Sequence, residues 1–184
     1  FECLEPEMSK IRAEAVYHDE ERIGFDDRIT VFLDPAHDHQ NIFEFTINAR
    51  GATLERPIAR PVPYAMSHIL GPLEWNTEWF GRVRRLEDRW TGEICIALDR
   101  LLGRPVEAGD TLGFNVCRDR QPVWRFGPTG QRPAYPQECS AWTYAFNHHS
   151  GSMAPTGWYE PIQFGDLVIG AKQIEVTQVA FHQS

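Results

Sequence analysis

Apolar and polar residues alternate along most of this chain with a period of two, the signature of strands that bury one face. Arg28–Asp34 is a β-branched run closed by Pro35, and Ile42–Asn48 is a second run that ends before Gly51. The polar loop 36–41 between them predicts an antiparallel hairpin. Runs at Trp79–Leu86 and Arg89–Leu98, turned at Glu87–Asp88, predict another. Leu112–Arg118 and Phe164–Ile169 read as further strands, and 173–181 offers one more. Near the start, Ile11, Ala13, Ala15 and Tyr17 share one side of an alternating run, with Arg12, Glu14 and Val16 on the other. Asp99–Leu102 is the one candidate for a single helical turn.

Two stretches break the period. Leu54–Trp79 carries Pro57, Pro61, Pro63 and Pro72, which forbid long regular elements, and Asp119–Tyr159 is rich in Pro, Gly and aromatic residues. Both are expected to be long irregular loops of the kind that carries contacts or function. Short strands, little helical periodicity and two such loops predict an all-β fold, an antiparallel two-sheet sandwich or jelly roll. Ile29, Val31, Leu33, Phe43, Phe45, Ile94, Ile96, Phe114 and Val116 are expected to point inward, since a slip of one residue would expose the set. With no repeat, low-complexity tract or boundary, residues 1–184 read as one domain.

Composition narrows the function. The 184 residues are 42% hydrophobic and 24% charged, ordinary globular values, and a net charge of −8 argues against a nucleic-acid surface. The basic cluster Arg82, Arg84 and Arg85 is flanked by Glu87 and Asp88 and reads as a solvated strand face. No apolar run is long enough to span a bilayer. Cys3, Cys95, Cys117 and Cys139 have no C-x-x-C spacing, which removes the usual zinc and redox signatures. Cys95 and Cys117 could pair or pack as small apolar side chains, whereas Cys3 and Cys139, in irregular segments, could form a disulfide more easily in an oxidising compartment.

Catalysis has no signature: G-x-S-x-G is absent, and no Ser/His/Asp set declares itself. Glu44 and Glu93 could meet as paired carboxylates. The expectation is a binding module rather than an enzyme, although the chain could be part of a larger carbohydrate-active one. Asp26, Asp27, Asp34 and Asp38 cluster around one strand and its loop. They could supply oxygens to calcium, or serve as ordinary turn residues that bond their own backbone. His37 and His39 on one loop, with His68, His148 and His149 elsewhere, are loop imidazoles whose spacing diagnoses no metal.

Five blocks carry a family resemblance. Asp26–Pro35 is similar to a D-[DS]-x-[VI]-x-[VI]-F-[IL]-D strand, Phe43–Gly51 to Y-x-F-x-V-N-x-x-G, and Arg89–Ile96 to W-T-x-E-x-x-I. Leu112–Arg118 resembles G-F-N-x-x-R, and Trp158-Tyr159-Glu160-Pro161 through Leu167 resembles W-x-[DE]-P-x-x-F-G-x-L. These blocks, in this order, resemble family 9 carbohydrate-binding modules and their DOMON relatives from Asp26 to Ile169. The resemblance implies a secreted or periplasmic jelly roll that binds carbohydrate, commonly attached to other domains of a polysaccharide-processing protein, with structural calcium. It also implies that one or two opening strands of the usual jelly roll are missing or replaced at the N-terminal end.

In sugar-binding members two aromatic rings sandwich a terminal sugar. Trp158 matches the ring of the closing strand. Gly24 stands where the other ring is expected, with Phe25 one position away. Sheet-face positions that would reach the sugar hold Thr30, Thr46 and Cys117. Trp158, Phe25, Arg118, Trp142 and Trp75 are therefore the candidate ligand residues, because a sugar site needs an aromatic face and a few fixed polar groups. The alternative is an accessory structural or interaction domain on the same fold that has lost its sugar site.

Overall fold

The computed structural model describes residues 1–59, 69–121, 123–127, 130–135, 138–143 and 164–170. A short strand, β1 (Glu2–Leu4), opens the chain, followed by 3-10 turns at Met8–Lys10 and Glu21–Phe25. β2 (Arg28–Asp34) and β3 (Asn41–Asn48) form the predicted hairpin, with Val31 opposite Phe45 and Ile29 opposite Ile47. Next come β4 (Thr53–Ala59), β5 (Ile69–Leu70), β6 (Trp79–Arg85) and β7 (Arg89–Ile96). The one described α-helix, α1 (Leu98–Leu102), closes on Gly103 in the left-handed conformation, φ +67°. β8 (Thr111–Arg120), β9 (Val123–Gly127), β10 (Gly130–Tyr135), β11 (Glu138–Ala141) and β12 (Gly165–Val168) complete the described elements.

Every described pairing is antiparallel. The large sheet runs β11-β8-β2-β3-β4-β5, and the small sheet runs β1-β7-β6. β12 pairs with β8 along Thr111–Phe114, while β11 pairs along Cys117–Arg120, so the two lie end to end on one edge of β8. β9 and β10 form a separate ribbon. The core lies between the sheets. Ile29, Val31, Leu33, Phe45, Ile47 and Val116 from the large sheet meet Trp90 and Cys3 from the small one, with Phe43, Ile94, Ile96 and Phe114 packed against them. All nine residues expected inward are in this cluster, as period-two alternation requires.

The far face of the large sheet is buried too, around Phe32, Ile42, Ile58 and Cys117. This explains why β2 is apolar on both sides.

Several expectations change. Residues 54–59, placed in an irregular loop, belong to β4. Pro57 is tolerated because its carbonyl accepts from Gly71 N at 2.8 Å on the side away from β3, so its missing N–H also faces away from that ladder. The second expected loop contains the paired strands β9, β10 and β11.

Residues 11–17 are not a strand. Asp27 Oδ2 accepts from Arg12 N at 2.6 Å, and Asp26 accepts from Glu14 N and Ala15 N at 2.8 and 3.0 Å. Carboxylates take the amides that a neighbouring strand would otherwise bond.

The cysteines are unpaired. Cys3 faces Trp90 in the small sheet and Cys139 pairs along β8 in the large one, and no disulfide joins them. Cys95 and Cys117 belong to different sheets. Glu44 and Glu93 do not meet either. Glu44 lies on the far face of the large sheet beside Thr46, and Glu93 is exposed on the small sheet. The expected strand at 173–181 lies outside the described residues.

Candidate functional site

The four clustered acids act on backbone. Asp26 is fully buried and also accepts from Asn48 Nδ2 at 2.8 Å. Asp27 accepts from Gln121 N at 3.1 Å, and burial pushes its carboxyl up to about 6 against the pull of its two amide donors. Asp34 accepts from the amides of Asp38 and His39, and Asp38 accepts from those of Gln40 and Asn41. Burial would raise Asp38, but the Asn41 amide and side chain together with Gln40 hold it below its ordinary value. No three of these acids converge within ligand distance of one another. The arrangement is that of turns and caps, in which each carboxylate bonds backbone amides. His37 lies against Asp166 at 2.9 Å, and His39 lies 3.8 Å from Asp34.

The ligand candidates are scattered. Trp142 is 51% exposed and occupies the gap between β11 and β12, its amide bonded to Val116 O at 2.8 Å. Its ring meets Phe114 edge-on at 5.4 Å and lies over Gly165, where a Cβ would come within 2.7 Å of Cζ3. Trp75 stacks on Phe43 at 4.9 Å and, with Asn76, Thr77, Glu78 and Arg100, lines an open cavity of about 580 Å3. Phe25 is 65% exposed at the end of its 3-10 turn.

Arg118 shares the inner face of the large sheet with Ile29, its register partner. It is 6% exposed and donates to Leu4 O at 2.7 Å, tying β1 to β8. Thr30 and Thr46 are buried and bonded to each other at 2.9 Å. Thr46 donates to Glu44, and Arg56 donates to Glu44 at 2.8 Å. With Cys117 also fully buried, these three positions face packed protein. Trp158, His68, His148 and His149 lie outside the described residues.

A second pocket adjoins the first through Asn76 and Thr77. It has a volume of about 330 Å3, and His18, Thr53, Glu55 and Trp79 line it. Glu55 is 2% exposed and receives a hydrogen bond from the Trp79 side chain. Burial pushes its carboxyl above the usual range, with Asp19 adding to the rise and His18 opposing it. Sequence reading missed these residues, since His18, Glu55 and Asn76 come from separate segments that only the sheet topology brings together. The one local signal was a glutamate beside Leu54 in a stretch read as loop.

No family model matches the chain, and no curated protein sequence matches it. Solved structures do. A family 9 carbohydrate-binding module from Caldicellulosiruptor kristjanssonii in complex with glucose superposes with a TM-score of 0.56 at 12% identity, covering 96% of this chain and 72% of that one. A candidate carbohydrate-binding protein from Bacteroides uniformis superposes with a TM-score of 0.57 at 16% identity, covering 86% of this chain and 67% of that one. The chain thus has the β-sandwich fold of family 9 carbohydrate-binding modules.

Proposed function

We propose that this chain is a non-catalytic carbohydrate-binding module of a secreted, polysaccharide-processing protein. The observation that carries the reading is the superposition, over 96% of the chain, on a module solved with glucose. Fold alone does not specify a ligand. Local support comes from the closing edge of the large sheet, where Trp142 offers an exposed ring beside β12, the strand into which the Trp158 segment feeds. Sugar would stack on Trp158, with Trp142 as a further exposed ring. Loss of ~80 Å2 of stacked apolar contact corresponds to ~2 kcal/mol, roughly thirtyfold in affinity.

A glycan panel on the wild type and on Trp158→Ala, Trp142→Ala and Trp75→Ala tests this. The expected result is a bound glycan, lost in Trp158→Ala with the fold kept, weakened in Trp142→Ala and retained in Trp75→Ala. Loss in Trp75→Ala alone would move the site to the cavity beside Arg100. The burial of Thr30, Thr46 and Cys117 favours one other reading, an accessory interaction domain without a sugar site at the sheet face. A wild type that binds no glycan would select it.

A further inference from the structure

His18, Asp19 and Glu55 bring an imidazole nitrogen and two carboxylates within 4.8 Å of one another, the one such trio among the described residues. His18 Nε2 lies 3.3 Å from Asp19 Oδ2, 3.6 Å from Glu55 Oε2 and 3.3 Å from Asn76 Oδ1. Each of these oxygens is an acceptor. The Asn76 amide nitrogen donates to Glu74 O at 2.9 Å, which turns its oxygen toward the imidazole. On its other side the His18 ring meets Thr53 Oγ1 through Nδ1 at 3.0 Å. A proton on Nδ1, donated to Thr53, leaves the Nε2 lone pair facing the three oxygens, the outer-shell arrangement that orients a metal-binding histidine.

The independent sign is one unsatisfied oxygen on a buried acid whose carboxyl is otherwise bonded by the Trp79 side chain and the Thr77 amide. Glu55 is 2% exposed, yet its Oε2 accepts no hydrogen bond, and Asp19 Oδ1 accepts none. Buried carboxylate oxygens are nearly always bonded, and one left bare is costly unless a cation completes it. The spacing suits a cation as well. Two ligands each ~2.1 Å from a tetrahedral zinc lie about 3.4 Å apart, close to the 3.3–3.6 Å from His18 Nε2 to each oxygen, and the two carboxylate oxygens lie within 4.8 Å of each other. The adjoining pocket of about 330 Å3 leaves room for a water or other ligand at an open position.

We propose that His18, Asp19 and Glu55, with Asn76 Oδ1 in reach, form a site for a divalent transition metal of the zinc class. The imidazole selects against calcium, whose shell is all oxygen. The competing arrangement is an imidazolium held by the same acids with no metal.

Chelator-stripped protein titrated calorimetrically with Zn2+, Co2+ and Ca2+, with cobalt followed also by its visible absorption, separates the two. The expected result is one equivalent of zinc and of cobalt, bound far more tightly than calcium and more tightly at pH 7.5 than at pH 5.5, because protons compete for the ligands. His18→Gln and Glu55→Gln should each weaken zinc by more than the ~10–100-fold lost with an outer-shell partner alone. Circular dichroism should stay native. Should Glu55→Gln fail to fold, His18→Gln decides, since that ring is half-exposed. No zinc binding, calcium equal to zinc, or binding unchanged in His18→Gln would overturn the proposal, the last by placing the metal on other histidines. None of these readouts involves sugar.

Discussion

Asp26 and Asp27 show how a single residue can stand in for a strand. Their side chains hold residues 12–15 against the first hairpin, with no backbone ladder between those amides and a neighbouring strand. Asp26→Ala would leave the buried Ala15 N–H and the part-buried Glu14 N–H without their acceptor and take one of two partners from the Asn48 amide, which keeps Ala15 O. At 1–3 kcal/mol for each orphaned donor, a loss of ~3 kcal/mol or more is expected in urea melts. Asp27 sets a pH dependence of opposite sense to most acids. Its folded value of about 6 lies above the ordinary 3.8, so between those values the native state holds a proton that the unfolded chain has released. Its contribution to stability therefore falls as pH rises through that window and is level above it. Subtracting the melting curve of an Asp27→Asn variant, measured across pH 3–7, should isolate this component. The acid cluster itself was legible in the sequence. Its hydrogen bonds were not, because the sequence does not show which amides each carboxylate reaches. The His18 trio was illegible for a different reason, since no local spacing joins residues 18, 55 and 76.

At the scale of elements, the hairpins were readable because one buried face imposes a strict alternation. β4 was not, because a proline's effect depends on which edge its missing N–H faces. Pro57 faces it away from β3, so Pro57→Ala should leave the ladder intact and shift stability by less than about 1 kcal/mol in thermal melts. Strands β9–β11 were hidden by short runs broken with Gly and Pro. Gly165 has the sharper consequence. An added Cβ would meet Trp142 Cζ3 at 2.7 Å and Cη2 at 3.0 Å, so Gly165→Ala must lift the indole from β12. Changed tryptophan emission and altered glycan affinity are expected with native circular dichroism. Unaltered affinity with shifted emission would detach Trp142 from the sugar site.

For the molecule as a whole, one buried ion pair joins the sheets. β1 pairs with β7 in the small sheet, and just beyond it Glu5 takes a bidentate grip from Arg120 of β8, at 2.6 and 2.8 Å. Burial would raise the Glu5 carboxyl, but hydrogen bonds from Arg120 and the Glu7 amide, with the charges of Arg120 and Arg118, hold it below 4.5. Its stabilisation is therefore full above the ordinary carboxylate value and lost as pH falls through the lower folded one. Removing the carboxylate by Glu5→Ala leaves a buried guanidinium and is expected to destabilise by ~3–5 kcal/mol in chemical denaturation. The global fold was legible although the structural relatives share only 12–16% identity, because the pattern of inward residues specifies a sandwich without specifying a ligand.

The absence of a disulfide turns the thiols into a clock. Burial pushes Cys3 and Cys139 up to about 12 and Cys117 well above its usual value, while Cys95 stands exposed on the outer side of β7. Thiolate is the reactive form, so a chromogenic disulfide reagent at neutral pH should modify Cys95 promptly and the other three only as the sandwich opens. The slow phase then reports opening directly, in native buffer and without denaturant, and any variant that loosens one sheet should accelerate the cysteine housed there.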